Sequence, residues 1–301
     1  MRWQQARPVE RAAFIVGGVL FASGLAHVVI LLVTGGSWLG PLSFRKPATF
    51  GLSFGLTLAT VAWATSFVTV KGRTLLLSLF GGASVMEVVL VSLQAWRGVP
   101  SHFNFETPFD SGVSMALAAG GGVLVLTAVL FTISAITGAR AASPTMRVAV
   151  RFGMVALIVA LGTGAAMIAS GVAQARSGDP QLAYTTAGAL KPLHAVAMHA
   201  ILVLPVLAWL LDRTRWAERD RMRLLWAGIV AYSALIVVVG VESITGVSPL
   251  QPPAAVAVAS VVALVALVAV GSVALYGLVR AGALTSGSTG TRSARRVDRT
   301  A

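Results

Sequence analysis

The chain is short of charge: only 11% of its 301 residues are Asp, Glu, Lys or Arg. A soluble globular domain carries about 25% charged residues. With 56% hydrophobic residues and a mean hydropathy of +0.85, the chain has too few polar groups to cover a water-exposed surface. These values exclude a coiled coil, a disordered chain and an ordinary cytosolic protein, and they indicate a membrane protein.

Cysteine is missing altogether, and acidic residues are few. Disulfide bonds, thiolate metal sites and cysteine nucleophiles are therefore excluded. The 10 Asp and Glu residues stand against 23 Lys and Arg residues, which leaves a formal net charge of +13. In a soluble protein such an excess indicates nucleic-acid binding. Here the placement of the charges fits membrane topology, and we expect no nucleic-acid partner.

Long apolar segments dominate what is present. A helix needs about 20 apolar residues to cross the hydrocarbon core of a bilayer, and spans in lipid must be helices or closed barrels. The sequence predicts an all-α fold, a polytopic membrane bundle of about eight transmembrane helices within residues 12–279. A cytoplasmic tail at 1–11 precedes it, and a disordered cytoplasmic tail at 280–301, rich in Ser, Gly, Thr and Arg, follows it. The predicted spans cover residues 12–34, 47–70, 74–96, 112–138, 148–174, 192–211, 224–246 and 254–279.

Basic residues are unevenly divided between the two sides of the predicted bundle. The N-terminal and C-terminal tails and the loops after spans 2, 4 and 6 hold most of the Lys and Arg. The opposite side has only Arg45, Lys46, Arg97, Arg176 and Lys191. The positive-inside rule therefore predicts a multi-pass protein of the cell membrane with both termini in the cytoplasm.

Ionisable residues inside spans are costly in lipid and mark candidate functional sites. Glu87, His194, His199 and Glu242 lie in spans, and each falls past the middle or in the outer half. The Ser84, Glu87 and Gln94 spacing places one polar stripe on the third helix, facing the bundle interior. The cytoplasmic half has almost no comparable groups.

The loop from 97 to 111, RGVPSHFNFETPFDS, adds further polar groups on the outer side. Its His102, Asn104, Glu106 and Asp110 alternate with phenylalanines. All four histidines thus fall in the outer half, together with Glu87, Glu106, Asp110 and Glu242. We therefore predict an outward-opening polar pocket bordered by five residues: Glu87, His102, Asp110, His194 and Glu242.

No metal site is expected. His194 and His199 are five residues apart, about 140° around a helix, so they are poorly placed to hold one metal ion. A zinc helix of the H-E-x-x-H type would space them by four, and the chain contains no such string.

Three segments resemble the hallmark segments of one bacterial family of integral-membrane proteins, most of which are uncharacterised. They are LSFRKPATFGLSFG at 42–55, SHFNFETPFD at 101–110 and LKPLHAVAMHAILVLP at 190–205. Members of that family share an R-K-P entry to the second helix, an S-H-F-N-x-x-T-P-F-D outer loop and an H-x-x-x-x-H helix. The resemblance covers about residues 37–210 and implies the same membrane fold.

The Ala-, Val- and Arg-rich composition without cysteine is also similar to that of actinobacterial membrane-bound sesquiterpene cyclases of indole-terpenoid pathways, such as those of xiamycin and drimentine. This resemblance implies an enzyme that folds a prenylated indole and cyclises it after protonation. It supplies no catalytic residues for the present chain.

The residues are compatible with that chemistry. A metal-dependent cyclase carries an aspartate-rich diphosphate site, and no D-D-x-x-D or D-x-D-D string occurs. A protonation-initiated cyclase needs a buried carboxylic acid that keeps its proton, aromatic faces that stabilise carbocations, and a dry cavity reached from the bilayer. Glu87 is the first candidate for the acid and Asp110 the second. Glu242, His194 or His199 would reload or accept the proton.

The expected substrate is a hydrophobic, isoprenoid-like small molecule that enters from the lipid, and we expect no cofactor. The oligomeric state is not indicated. The candidate substrate-binding residues are Lys46, Trp96, His102, Phe103, Asn104, Phe105, Glu106 and Phe109.

Two other functions remain open at this point. A proton-coupled transporter would use Glu87, Glu242 and the histidines as a relay, although no inverted repeat is visible. A haem-binding membrane protein would use His27, His194 or His199 as axial ligands, and such a protein would be coloured when purified.

The charge asymmetry gives a topology prediction. A phosphatase reporter that is active only in the periplasm, fused after Ala301, should be inactive, whereas a fluorescent reporter that matures only in the cytoplasm should be bright. High phosphatase activity of that fusion would contradict the predicted orientation.

Overall fold

The protein is a bundle of long helices, as the sequence predicts. The structure, a computed structural model, describes residues 6–38, 40, 42–138, 142–178, 183, 188–247 and 251–297, with side chains to residue 282. Eight helices in this part of the chain are long and apolar enough to cross a membrane. The prediction of an all-α, multi-pass membrane fold is confirmed. The helices are α1 (Pro8–Val33), α2 (Arg45–Ala64), α3 (Arg73–Trp96), α4 (Pro108–Thr137), α5 (Pro144–Arg176), α6 (Lys191–Leu211), α7 (Glu218–Thr245) and α8 (Ala254–Val297).

Several helices begin before the predicted apolar spans because their first turns are stabilised by local groups. Pro8, Pro108 and Pro144 each occupy a first helical position, where a missing N–H has no cost. Thr107 and Ser143 accept hydrogen bonds from the first turns of α4 and α5. The predicted spans therefore mark the apolar cores of longer helices.

The last helix extends into the segment that was predicted to be the C-terminal tail. α8 runs to Val297, so the predicted boundary at residue 280 falls inside it, and residues 298–301 lie outside the described part. The disorder of the tail stays a prediction. α8 packs mainly on α7 and leaves most of its apolar side chains exposed, as expected for a helix that faces lipid.

The helix order gives the bundle two ends. We call the end where α1, α3, α5 and α7 begin the proximal end, and the end where α2, α4, α6 and α8 begin the distal end. The main hydrophobic core lies toward the proximal half, where fully buried Leu58, Phe80, Phe131, Met154 and Leu204 meet. The distal half contains the polar groups described below.

Glycines hold α1 against α2 at backbone contact. A Cβ added to Gly24 would lie 2.5 Å from the Leu52 amide nitrogen, and one added to Gly51 would lie 2.6 Å from the Gly24 Cα. Gly17, about two turns before Gly24, and Gly55, about one turn after Gly51, make the same kind of approach to each other. Close packing through small residues is the usual basis of helix association in lipid, and here it fixes the position of α2.

A buried ion pair joins three helices at the proximal end. Arg73 Nε donates to Glu10 Oε1 at 2.8 Å, and the same guanidinium donates to Thr65 Oγ1 and to the Ala62 carbonyl, each at 2.7 Å. The Glu10 and Arg73 side chains are 5% exposed or less. The buried pair is tolerated because the guanidinium finds an acceptor for each of its arms.

The glycine contact predicts a selective loss of stability. Gly51→Val should destabilise the bundle by about 1–3 kcal/mol, because its side chain would collide with the α1 backbone. The apparent melting temperature in detergent measures this effect. Gly18→Val is the matched control, since nothing lies within 4 Å of a Cβ at Gly18. Equal melting temperatures for the two variants would contradict the backbone contact.

Candidate functional site

Glu87 is a buried carboxyl group in the distal half. It lies nine residues before the end of α3, about 14 Å along the helix, and is 4% exposed. Its Oε1 lies against α4, where a Cβ at Gly120 would come within 3.0 Å. Within the described part of the chain, the Glu87 side chain has no hydrogen bond and no ion pair. Its capacity to donate or accept is therefore unused.

The polar stripe on α3 is confirmed, since Ser84 and Gln94 are fully buried with Glu87. Its members differ in their partners. Ser84 Oγ donates to the Phe80 carbonyl at 2.8 Å. Gln94 Nε2 donates to Asp110 Oδ1, also at 2.8 Å. Glu87 alone in the stripe has no partner.

Lys46 and two phenylalanines form a face of α2 near Glu87. The Lys46 ammonium and the Glu87 carboxyl interact electrostatically, although no pair of their atoms reaches ion-pair distance. Phe50 and Phe54 follow Lys46 at successive intervals of four, which places all three on one side of α2. The two rings are 5.6 Å apart. The sequence reasoning missed these phenylalanines, and their spacing from Lys46 was the signal.

Asp110 lies in a closed network at the distal end. Its Oδ1 accepts from Gln94 and from Arg97 NH1, the latter at 2.6 Å, and its Oδ2 accepts from the Thr107 hydroxyl at 2.6 Å. Arg97 NH1 also donates to Gln94 Oε1. Both carboxylate oxygens are thus occupied, which fits a positioning role better than proton donation.

This network explains the role of the segment TPFD at the end of the loop, where α4 begins. Thr107 is the N-cap of α4, and its hydroxyl accepts from the Asp110 amide at 3.1 Å. A threonine followed three residues later by an acidic residue is a capping-box pattern. The structure pairs Arg97, one of the few basic residues on the predicted outer side, with the buried carboxylate of Asp110.

An apolar layer separates the Asp110 network from Glu87. It is formed by Val91, Val113 and Leu117, with Phe50 packed against them. The layer prevents direct hydrogen bonding between Asp110 and Glu87. The two carboxyl groups are therefore separate sites.

His102 lies in the loop between α3 and α4 and faces the bundle. Its ring is 5.8 Å from Phe50, and its Nδ1 shares a 3.0 Å hydrogen bond with Ser101 Oγ. Burial, with smaller contributions from the Lys46 and Lys191 ammonium groups, holds the pKa of His102 well below its usual value. The imidazole is therefore neutral at physiological pH and close to both lysines.

Phe103 has a strained backbone. Its φ is 62°, which is rare for a bulky residue. Its ring lies on Gly171 of α5, where an added Cβ would be 2.3 Å from the Phe103 Cζ. Strain of this kind persists only where surrounding contacts enforce it. The contact with Gly171 thus fixes the loop inward, across the distal end of α5.

A small, partly open pocket lies between α4 and α5 beneath this loop. Of the five residues predicted to border one cavity, only His102 lines this pocket, and Glu87, Asp110, His194 and Glu242 lie outside it. That the five residues border one cavity stays a prediction. The lining residues are His102, Phe103, Phe105, Ser114, Met115, Ala118, Ile168 and Val172.

The remaining histidines contact different helices. His27 Nδ1 bonds the Ser23 carbonyl at 2.8 Å, and its Nε2 accepts from Trp96 Nε1 at 3.2 Å. His194 Nδ1 bonds the Ala160 carbonyl of α5, and His199 Nδ1 bonds a carbonyl of its own helix. The structure does not bring these three rings together.

Glu242 is 4% exposed near the distal end of α7, and the neighbouring Ser243 Oγ is buried without a hydrogen bond. The other predicted binding residues lie in or beside the loop. The Arg97 guanidinium covers the exposed Phe109 ring at 4.6 Å, and Arg176 lies 5.9 Å from the Phe105 ring.

Asn104 and Glu106 have different environments. Asn104 is 2% exposed, and its Oδ1 accepts from the Glu106 amide, whereas Glu106 itself is exposed. Trp96 is also exposed apart from its bond to His27.

Among the residues that the structure describes, no group of three His, Asp or Glu side chains could hold a metal ion.

The fold and these buried groups define a multi-pass membrane bundle with a polar distal half. Comparison with known protein families, with curated proteins and with solved structures finds no match to this chain.

The lowered pKa of the half-buried His102 predicts a pH effect. A histidine whose pKa is lower in the folded than in the unfolded protein favours unfolding as the pH falls below about 6.5. The apparent melting temperature should therefore drop between pH 7.5 and 5.5 more steeply for the wild type than for His102→Asn. Identical pH dependence of the two proteins would contradict the lowered pKa of His102.

Proposed function

We propose that the protein is a membrane-embedded enzyme that cyclises or isomerises an isoprenoid-like substrate after protonation by Glu87. The observation that carries this proposal is the Glu87 carboxyl, buried in an apolar bundle and left without a hydrogen-bond partner in the described part of the chain. Structural carboxyl groups in membranes are normally paired, as Glu10 and Asp110 are here. An unpaired carboxyl is available to a substrate.

The proposed reaction balances without a cofactor. The Glu87 O–H bond breaks as its proton adds to an alkene carbon of the substrate, which leaves a tertiary carbocation. A second double bond of the same molecule attacks that cation and closes a ring. Loss of a proton from a neighbouring carbon, taken up by the Glu87 carboxylate, restores the catalyst. The product is therefore an isomer of the substrate.

Aromatic and apolar groups near Glu87 suit this chemistry. The Phe50 and Phe54 faces would stabilise positive charge by about 0.5–2 kcal/mol each. The layer of Val91, Val113 and Leu117 would exclude water that would otherwise trap the cation. Asp110, bound by three side chains, would hold the loop in place.

The bilayer supplies the entry path in this proposal. A hydrophobic molecule would enter at the pocket between α4 and α5 and pass His102, which lines the pocket and packs near Phe50. We also propose that both termini are cytoplasmic, so that the distal end faces outward. A prenylated indole is the substrate that the resemblance to indole-terpenoid cyclases favours.

The proposal predicts a specific loss in Glu87→Gln. This change keeps the size of the side chain and removes the transferable proton, so turnover should fall by at least about 10²-fold while folding is retained. Membranes with the wild-type protein, incubated with a prenylated indole in D₂O, should form an isomer that carries one added deuterium, detected by mass spectrometry. Glu87→Asp should keep partial activity.

The matched control is Asp220→Asn, which removes an exposed carboxyl of α7 and should leave turnover unchanged. Wild-type turnover by Glu87→Gln would show that Glu87 is not the acid. A purely structural carboxyl would instead give an active Gln variant and a poorly folded Glu87→Leu variant.

A further inference from the structure

Two helices begin in the same way at the distal end. α2 starts with Arg45, Lys46 and Pro47, and α6 starts with Lys191 and Pro192. Neither helix has an acidic residue in its first turn. Cations are unfavourable there, because the positive end of the helix dipole lies at the N-terminus. The two helix starts therefore share an uncompensated positive charge.

The structure brings these two starts into one neighbourhood. α2 packs against α6, and the Lys46 and Lys191 ammonium groups repel each other and the Arg45 guanidinium. The loop residue His102 interacts electrostatically with both lysines. Because burial keeps that imidazole neutral, it adds no charge of either sign to this cluster.

The described part of the chain offers these cations no hydrogen-bond or ion-pair partner. Within the described residues, neither lysine side chain makes a hydrogen bond or an ion pair, and Arg45 Nε is buried without an acceptor. Arg45 lies over the Trp38 ring at 6.0 Å, a contact that leaves its N–H groups unused. The carboxyl that faces the cluster is that of Glu87, which is deeper in the bundle and beyond ion-pair distance.

We propose that Arg45, Lys46 and Lys191 bind the phosphate or diphosphate group of a lipid-like molecule at the distal end of the bundle. Three cations exceed what one carboxylate would balance, whereas a phosphate group carries more charge and several acceptor oxygens. The face of α2 then continues from Lys46 to Phe50 and Phe54. The chain of the same molecule lies along these rings toward Glu87. This substrate class, an isoprenoid phosphate in place of a prenylated indole, rests on the proposed function.

Binding without turnover tests the site. The full chain in phosphatidylcholine nanodiscs is titrated with farnesyl diphosphate and with farnesol, and complexes are counted by native mass spectrometry. Farnesyl diphosphate should bind more tightly than farnesol. The Lys46→Gln/Lys191→Gln double variant should weaken its binding by about 10–100-fold for each lysine and leave farnesol binding unchanged.

Three controls make the result decisive. Lys71→Gln removes an exposed lysine at the proximal end and should bind as the wild type does. The Lys46→Arg/Lys191→Arg double variant keeps the charge and should retain binding. Glu87→Gln should also retain it, so persistent binding without any cyclisation would refute only the proposed function.

A second arm identifies the natural source of the phosphate. Nanodiscs with equal parts of phosphatidic acid and phosphatidylcholine should weaken farnesyl diphosphate binding if a phospholipid headgroup occupies the same site, and leave it unchanged if the site selects isoprenoids. Both results support a phosphate site. Equal binding of farnesol and farnesyl diphosphate, wild-type affinity in the double Gln variant, or lost affinity in the double Arg variant would overturn it.

Discussion

The arrangement of this protein depends on one constraint, the cost of a charge that is removed from water without a partner. At the proximal end the constraint is met inside the protein, since Arg73 binds Glu10, Thr65 and a backbone carbonyl. At the distal end it is met for Asp110, which accepts from three side chains. Between these closed networks lies Glu87, for which no described residue provides a partner. The paired carboxylates of Glu10 and Asp110 hold helices together, whereas the unpaired Glu87 carboxyl is available to another molecule.

The same constraint explains the placement of aromatic residues. Phe109 and Phe105 lie beside arginines at the surface of the loop, where they shield cationic side chains. Phe50 and Phe54 lie on the helix that also presents Lys46. The rings of the loop thus pack against arginine side chains, and the rings on α2 lie on the helix that faces the buried carboxyl. The position of these phenylalanines in the sequence does not show which of them belong to which group.

Sequence patterns predicted the fold well because hydropathy and the length of a span are local properties. The interior stripe of Ser84, Glu87 and Gln94 was predictable for the same reason, since helical period decides which side chains share a face. The pairing of Arg97 with Asp110 and the seating of Phe103 on Gly171 depend on loop geometry and on contacts between distant segments. Helical period carries no information about them. The single shared cavity stays a prediction, because outer-half position does not reveal which helix stands between two residues.

The glycine contact between α1 and α2 has a consequence for assembly in the membrane. These helices are neighbours in sequence, and their contact requires no later segment of the chain. Contacts between adjacent segments form early, because little entropy is lost in closing a short loop. The α1–α2 hairpin is therefore expected to form before α5 and α6 are synthesised. The face that carries Lys46 and Phe50 would then be a template on which the later helices dock.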